Sequence, residues 1–231
     1  MEIVVDSLLE GARRAQGCAV IVDVFRAFTT AAVAFSRGAA RIVLVAEVEE
    51  ALELRRRGRG ELCFGEVGGE RPEGFDFANS PFELAAADLK GRVLIQSTRA
   101  GTVGVTVARR ADAIFAASLV NAAATSAAVR RAAPDLVTIV AMGAAGQVRS
   151  DEDELCALYL RNLLQGRQPD RDAVRRLVSA GAEAQKFGDP ARPHFDPRDR
   201  ELALRIDALP IAIRVQREEG LLVARAEWQT C

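Results

Sequence analysis

The chain has 231 residues, of which 49% are hydrophobic and 27% charged, and its formal net charge is −1. This composition excludes a disordered chain, and the length supports a sizeable apolar core. The near-neutral charge gives no sign of nucleic-acid binding, and no apolar run reaches the roughly 18–20 residues that span a bilayer. No secretion signal is visible, so we expect a cytoplasmic protein with reduced, mostly buried thiols at Cys18, Cys63, Cys156 and Cys231.

Apolar runs typical of strands alternate with helical patterns through the first 141 residues. Strands are predicted at 2–5, 18–23, 41–46, 61–65, 92–96, 112–116 and 135–141, and helices at about 28–37, 47–57, 81–88, 102–110 and 120–132. The strands are too apolar to face water on either side. The alternation therefore predicts an α/β fold with a mostly parallel sheet that is flanked by helices in three layers.

The pattern changes after residue 150. Helices are predicted at 151–165, 170–180 and 197–207, and strands at 211–217 and 221–227. The last two strands flank Glu218-Glu219-Gly220 and predict a C-terminal hairpin at a sheet edge. We expect residues 1–231 to form a single α/β unit, with possible lobes at 1–90 and 91–231.

Two predicted strands end in similar polar turns. The first turn is Asp23-Val24-Phe25-Arg26-Ala27-Phe28-Thr29-Thr30, and the second is Ser97-Thr98-Arg99-Ala100-Gly101-Thr102. Both contain Arg-Ala-x-Thr, which suggests a possible internal duplication. A helix start attracts anions because its first N–H groups have no internal partner, and arginine adds paired donors. Two such turns predict a small ligand with two anionic ends.

Each turn also has a purely structural interpretation. Asp23 after a strand is typical of a helix cap, and Thr29 and Thr30 in a first helical turn can satisfy backbone groups. Since Asp23 and Ser97 both follow strands of a parallel sheet, we expect them on the same rim, where such sheets bind ligands.

The loop at 65–83 is long, polar and rich in glycine, as functional loops often are. Its end has a structural explanation, because Ser80, Pro81 and Glu83 together predict a capped helix start. Glu66, Asp76 and Asn79 have no such role and remain candidates for a site.

Further polar groups follow two later strands. Glu152 and Asp153 lie in the first turn of a predicted helix, where acids complement the helix dipole. Together with Asp23 and Glu66 they are equally consistent with an oxygen-only site for Mg²⁺, which takes few protein ligands plus waters and phosphate oxygens. Asn121, after the strand at 112–116, adds one more polar group.

Taken in order, these motifs resemble those of the 2-phosphosulfolactate phosphatase family over residues 20–155. The matching segments are 23–30, Gly65-Glu66, 74–76, 79–81, 97–102, Asn121 and Glu152-Asp153. The third motif of the family often reads Thr-Thr-Asn-Gly-Thr, and here Arg99-Ala100 stands in place of the asparagine. The added arginine leaves the exact anion open.

The resemblance implies a Mg²⁺-dependent hydrolase that converts 2-phospho-3-sulfolactate to 3-sulfolactate and phosphate, in sulfonate and coenzyme M metabolism. The implied catalytic residues are Asp23, Arg26 and Glu66, and the implied metal ligands are Asp23, Glu66, Glu152 and Asp153. The implied substrate-binding residues are Arg26, Thr29, Thr30, Asn79, Ser97, Thr98, Arg99, Gly101, Thr102 and Asn121.

Several alternatives stay open at this stage. Either turn could take the phosphate, and either a metal-bound water or Asp23 could attack phosphorus. The function could instead be a phosphatase for another small phosphorylated acid, or a non-catalytic binder of dianionic metabolites. We expect a small dianionic phosphorylated substrate as the partner, no nucleic acid or membrane, and a possible homodimer.

Overall fold

The computed structural model describes residues 1–229 and contains ten strands and nine α-helices within them. The strands are β1 (Glu2–Ser7), β2 (Gly17–Val22), β3 (Arg41–Val45), β4 (Leu62–Gly65), β5 (Phe77–Ala78), β6 (Val93–Ser97), β7 (Ala111–Ala117), β8 (Leu136–Ala141), β9 (Ile211–Glu218) and β10 (Leu221–Trp228). The helices are α1 (Leu8–Arg14), α2 (Ala27–Ser36), α3 (Val48–Arg56), α4 (Pro81–Ala85), α5 (Gly101–Val107), α6 (Ala122–Ala132), α7 (Asp151–Leu164), α8 (Arg171–Ala180) and α9 (Pro197–Ala203). The sequence did not predict α1, whose seven residues are too few to show a helical period.

All ten strands form one sheet in the order β1-β8-β2-β7-β9-β10-β3-β6-β4-β5. Strands β1, β8, β2 and β7 are parallel and form the β2 group, and β3, β6, β4 and β5 are parallel and form the β6 group. The hairpin β9–β10 joins the groups through three antiparallel pairings. The sheet is therefore mostly parallel, as predicted, but its two groups run in opposite directions.

The C-terminal hairpin is confirmed, although its predicted place at a sheet edge is wrong. Strands β9 and β10 lie in the middle of the sheet, between β7 and β3. The buried run at the start of β9, from Ile211 to Ile213, fits this central position because both of its faces are covered.

The core lies on both faces of the sheet, because successive strand residues point to opposite sides. Ile21 of β2 packs with α1, α2, α4 and α5 on one face, whereas Val20 and Val22 pack with α6 and α7 on the other. A smaller cluster under α3 covers the β6 group on that second face. The three predicted layers are confirmed.

Helix α2 is central to the first face, since every residue from Ala27 to Phe35 is buried. A helix that is apolar on all sides must be enclosed, and α2 has sheet and helices around it. This burial carries the Asp23–Arg26 turn, which opens α2, into the interior of the molecule.

Strands from both sides of residue 90 alternate across the sheet, with β1 and β2 paired to β7 and β8. The possible lobes and the internal duplication stay predictions. Cys18, Cys63 and Cys156 are buried free thiols as expected, and Cys231 lies outside the described residues. No helix within residues 1–229 combines the length and the apolarity that crossing a bilayer requires.

Candidate active site

A cavity of about 250 Å³ opens where the turns that precede α2 and α5 meet. Seven predicted site residues line it: Asp23, Arg26, Glu66, Asn79, Arg99, Glu152 and Asp153. It is also lined by Phe25, Gly68, Gly69, Ala100, Gly143, Ala144, Ala145, Glu183, Lys186 and Phe195. The cavity thus joins groups that lie up to 172 positions apart in the sequence, from Asp23 to Phe195.

The sequence predicts that the two turns meet because they share one rim of a parallel sheet. In the structure they meet for a different reason. Five inter-strand steps separate β2 from β6, which is about 24 Å in a flat sheet, and the two groups run in opposite directions. Yet a β-carbon at Gly101 would lie 2.9 Å from Asp23 Oδ2 and 2.8 Å from the β-carbon of Ala27. The sheet therefore curves around α2 and α5, and their first turns touch because Gly101 has no side chain.

Asp23 lies at this junction and is only 6% exposed. Its Oδ1 accepts a hydrogen bond from the backbone N–H of Ala27 at 3.0 Å. Burial raises the pKa of Asp23 to about 6, and the Glu66 carboxylate adds to the rise, whereas the N–H groups of Ala27 and Gly101 oppose it. Asp23 therefore acts as a cap, as its structural interpretation predicts, and also faces the cavity.

Glu66 follows β4 and ties two loops to the site. Its Oε1 accepts from the backbone N–H of Arg99 and its Oε2 from that of Gly69, both at 2.8 Å. Both carboxylate oxygens are thus oriented by backbone donors. The Arg99 side chain remains at the cavity, and its Nη1 lies 3.4 Å from Glu47.

Glu152 and Asp153 reach the cavity from the first turn of α7. Asp153 accepts backbone N–H donors from Val24 at 2.7 Å and from Gly143 at 2.8 Å. Burial raises the pKa of Glu152 to about 7. Burial, then Glu152 and Asp23, raise the pKa of Asp153 well above its ordinary value. The carboxylates repel one another, which favours a bound cation or proton.

The free energy of unfolding of the metal-free protein should fall as the pH rises, because of the carboxyl groups at the site. The folded chain binds protons at Asp23 and Glu152 more tightly than the unfolded chain, whose carboxyl pKa values are near 4, so stability is lost as the pH rises from about 4 to about 7. Between pH 5.5 and pH 8 in chelator, we expect the melting temperature to drop by roughly 5 °C.

Glu152→Gln should flatten this slope, while Asp151→Asn, at an exposed position of the same helix, should leave it unchanged. Thermal melts followed by circular dichroism across the pH range measure the slope. A melting temperature that rose from pH 5.5 to pH 8 would contradict the raised carboxyl pKa values.

Arg26 is only 2% exposed, and protein oxygens take much of its hydrogen bonding. Nη1 donates to Asp199 Oδ2 and to the carbonyl of His194, each at 3.0 Å, and Nη2 donates to the carbonyl of Gly69 at 2.9 Å. Its guanidinium also stacks 5.0 Å from the Phe195 ring centre. Arg26 therefore holds the cavity walls together, and its predicted role as an anion grip stays a prediction.

The predicted hydroxyl groups lie behind the cavity rather than in its lining. Thr29 Oγ1 donates to the carbonyl of Val24 at 2.8 Å, and Thr98 and Thr102 bond to each other across the start of α5. The predicted residues outside the lining are Thr29, Thr30, Ser97, Thr98, Gly101, Thr102 and Asn121. The hydrogen bonds of Thr29, Thr98 and Thr102 shape the two turns, whereas Thr30 Oγ1 has no hydrogen-bond partner within residues 1–229. Direct contact of these residues with substrate stays a prediction.

The two predicted asparagines differ in position. Asn121 Oδ1 accepts from the backbone N–H of Ser118 at 2.8 Å, which closes a capping box away from the cavity. Asn79 lines the cavity and is 3% exposed, and its Oδ1 has no hydrogen-bond partner among residues 1–229. A buried amide oxygen without a partner is costly, so Asn79 has capacity for a ligand.

Ser80 has the structural role that the sequence predicts. Its Oγ accepts from the backbone N–H of Glu83 at 3.1 Å, and Pro81 is the first residue of α4. Glu83 departs from the predicted capping box, because its carboxylate accepts instead from the N–H of Ala78 at 2.8 Å.

Sequence reasoning missed the wall that residues 183–195 contribute. Glu183 and Lys186 pair there, with Lys186 Nζ at 2.6 Å from the carboxylate, and Phe195 packs against Arg26. The segment is short and contains prolines, so its sequence shows neither a helical nor a strand period. One signal was present, because Lys186 is one of only two lysines in a chain rich in arginine.

Within residues 1–229, no three Asp, Glu, His or Cys side chains stand close enough together to enclose a metal ion.

Residues 4–187 match the family model described as 2-phosphosulpholactate phosphatase. The chain is 32% identical over 184 residues to the probable 2-phosphosulfolactate phosphatase of Bacillus subtilis, which covers 78% of each chain. It is also 32% identical over 195 residues to the probable 2-phosphosulfolactate phosphatase of Thermoplasma acidophilum, which covers 81% of each. The protein of that name from Thermoplasma volcanium is 30% identical over 190 residues, 82% of this chain and 85% of the relative.

Proposed function

The chain belongs to the 2-phosphosulpholactate phosphatase family, and from this premise we propose that it hydrolyses 2-phospho-3-sulfolactate to 3-sulfolactate and phosphate. The observation that carries the proposal is the position of Asp23. This buried carboxylate stands where the first turns of two helices meet, in a cavity that also holds four further carboxylates, those of Glu66, Glu152, Asp153 and Glu183, and the cations Arg26, Arg99 and Lys186. With a bound cation to offset the excess of carboxylates, such a site suits a small substrate with several anionic groups.

We propose Mg²⁺ as the cofactor. Burial raises the pKa of Asp23, Glu152 and Asp153, the Asp23 carboxylate adds to the rise at the other two, and the buried cation Arg26 is already paired with Asp199. An added divalent cation would relieve this repulsion. Asp23, Glu66, Glu152 and Asp153 would hold it, directly or through water. When bound, Mg²⁺ supplies a Lewis acid that withdraws charge from the phosphoryl oxygens.

The chain's own groups then divide the remaining work. In this proposal Asp23 would orient the attacking water, or its carboxylate would attack phosphorus and displace the ester oxygen of the substrate. Glu66 fixes the Arg99 turn through the Arg99 N–H, and Arg99 lines the cavity, where its guanidinium would neutralise anionic charge. Asn79 Oδ1 is free to accept a hydrogen bond, and a water in the site is the donor that it suits. Arg26 keeps the loop at Gly69 and the segment at His194 closed around these groups.

The wider setting belongs to the same proposal. The product is a sulfonate, and we place the reaction in the cytoplasm, in metabolism that leads to coenzyme M. A homodimer is compatible with it and is testable by sedimentation of the purified protein.

The decisive experiment measures phosphate release from a panel of small esters, with excess Mg²⁺ and with EDTA. The panel comprises 2-phospho-3-sulfolactate, 2-phospholactate and 2-phosphoglycolate. We expect kcat/KM for the sulfonated ester to exceed the others by at least about 10-fold, and EDTA to stop the reaction.

The outcomes separate the parts of the proposal. A preference for another ester would show that the proposed substrate is wrong. Full activity in EDTA would show that the reaction does not need Mg²⁺. Binding of these esters with no phosphate released under either condition would favour the alternative, a non-catalytic binder.

A further inference from the structure

Three cationic side chains line the cavity, and they differ in what they are free to do. Arg26 is buried and donates to Asp199, His194 and Gly69. Moving it toward a ligand would strand the Asp199 carboxylate in the interior, which is strongly unfavourable. Arg99 and Lys186 remain as the cations that can turn toward an anionic ligand.

Lys186 is held by an exchangeable contact. Its Nζ lies 2.6 Å from both carboxylate oxygens of Glu183, and the two side chains are 29% and 25% exposed. Ion pairs with such access to water contribute little to stability, so the ammonium can leave Glu183 for a ligand at small cost. The Phe195 ring centre lies 6.0 Å from Nζ, and both residues line the cavity.

The pair also borders the carboxylate cluster. Glu183 is close enough to Glu152 to repel it electrostatically. An anion that binds next to Lys186 is therefore adjacent to the carboxylates where we place the phosphoryl group. Arg99 approaches from a different wall, after β6, with its N–H fixed on Glu66.

The two cations differ in the shape of anion that they suit. The planar fork of arginine matches the paired oxygens of a carboxylate or phosphate. The ammonium of lysine is a compact charge with three rotatable donors, which fits the three oxygens of a tetrahedral sulfonate equally from any side.

We propose that Lys186 is the residue that recognises the sulfonate of the substrate, exchanging Glu183 for it on binding. This inference rests on the proposed function, because it names the group that selects a sulfonated phosphate ester over an otherwise identical one. Lys186 is then a specificity-determining residue, separate from the carboxylates that serve the reacting phosphate.

The test compares 2-phospho-3-sulfolactate with 2-phospholactate, which carries a methyl group in place of the sulfonomethyl group. Lys186→Met keeps the aliphatic stem and removes the charge. We expect it to lower kcat/KM for the sulfonated ester by about 10- to 100-fold and to leave that for 2-phospholactate within about threefold. Lys90→Met, at the only other lysine, which is exposed, should change neither.

A second variant separates recognition from simple ion pairing. Glu183→Gln removes the same ion pair but keeps the ammonium, so the preference for the sulfonated ester should persist or increase. If Lys186 were only a structural partner of Glu183, both variants would have the same effect. An equal loss for both esters in Lys186→Met, or no loss for either, would overturn the inference.

Binding of 3-sulfolactate, measured by calorimetry, tests the same point without turnover. The wild-type protein should bind it, and Lys186→Met should weaken that binding by about 10-fold or more. If the wild-type protein released no phosphate from either ester, the proposed function would fall, yet this binding comparison would still decide the role of Lys186. Equal binding by both proteins would overturn it.

Discussion

Asp23→Asn is expected to lower phosphate release by about 10³-fold while the protein keeps its fold. The variant removes the negative charge at the point where the α2 and α5 turns meet, and with it both a proposed Mg²⁺ ligand and the candidate attacking group. The amide oxygen still accepts the N–H of Ala27, so the cap at the start of α2 survives.

Two opposed effects make the stability change small. The variant removes a buried charge whose pKa is raised, which is stabilising above pH 6, but it weakens the contact with the N–H of Gly101. We expect the free energy of unfolding to change by less than about 1 kcal/mol at pH 8. Steady-state kinetics and urea denaturation of the same preparation measure both quantities.

The matched control is Asp88→Asn, at an exposed position before β6, which should retain wild-type rates. If Asp23→Asn released phosphate at a rate within tenfold of the wild type, Asp23 would not be a catalytic residue. A variant that was inactive because it had unfolded would show no cooperative urea transition, so loss of chemistry and loss of fold are distinguishable.

Asp199→Asn is expected to destabilise the protein by about 3–5 kcal/mol, among the largest effects of any single polar substitution. Asp199 is fully buried and pairs with Arg26 at 3.0 Å. Its other oxygen accepts from Ser80 Oγ at 2.6 Å and from the N–H of Phe82 at 3.0 Å. The amide would leave the Arg26 charge uncompensated in the interior, at the centre of four converging segments.

The expected fall in melting temperature is roughly 10 °C. Asp189→Asn is the control, because its contact with Arg192 is 3.7 Å long and lies at the surface, where such pairs contribute at most about 1 kcal/mol. In the double variant of Asp199→Asn with Arg26→Met, the losses should be less than additive, since the second change removes the stranded charge. Strict additivity would show that the pair is not coupled.

The carboxylates of the candidate site were the part most accessible to sequence reasoning. Asp23 and Glu66 directly follow strands, and Glu152 and Asp153 lie in the first turn of a helix. The local sequence pattern alone predicts each of these positions. We expected the carboxylates to converge on a shared rim of a parallel sheet, but the two strand groups run in opposite directions, and the carboxylates meet because the sheet curves around α2 and α5.

Arg26 shows why the rest could not be predicted. Its sequence neighbours describe an anion-binding turn, but its main partner, Asp199, lies 173 residues away, and nothing in the local pattern marks that pairing. The position of Lys186 at the cavity was not predicted either, because Lys186 lies in a segment without regular periodicity. The hairpin was recognisable from its own residues, whereas its central position depends on pairing with β7 and β3, distant in the chain.

That central position has a consequence for how the chain is made. The β2 group and the β6 group are complete once residue 141 has left the ribosome, but no strand joins them until residues 211–228 follow. During that interval β7 and β3 each present an open edge to the solvent, and such edges pair readily with other chains. The nascent protein therefore passes through a period of exposure that ends when its last two strands close the gap, and the cavity can take its final form only then.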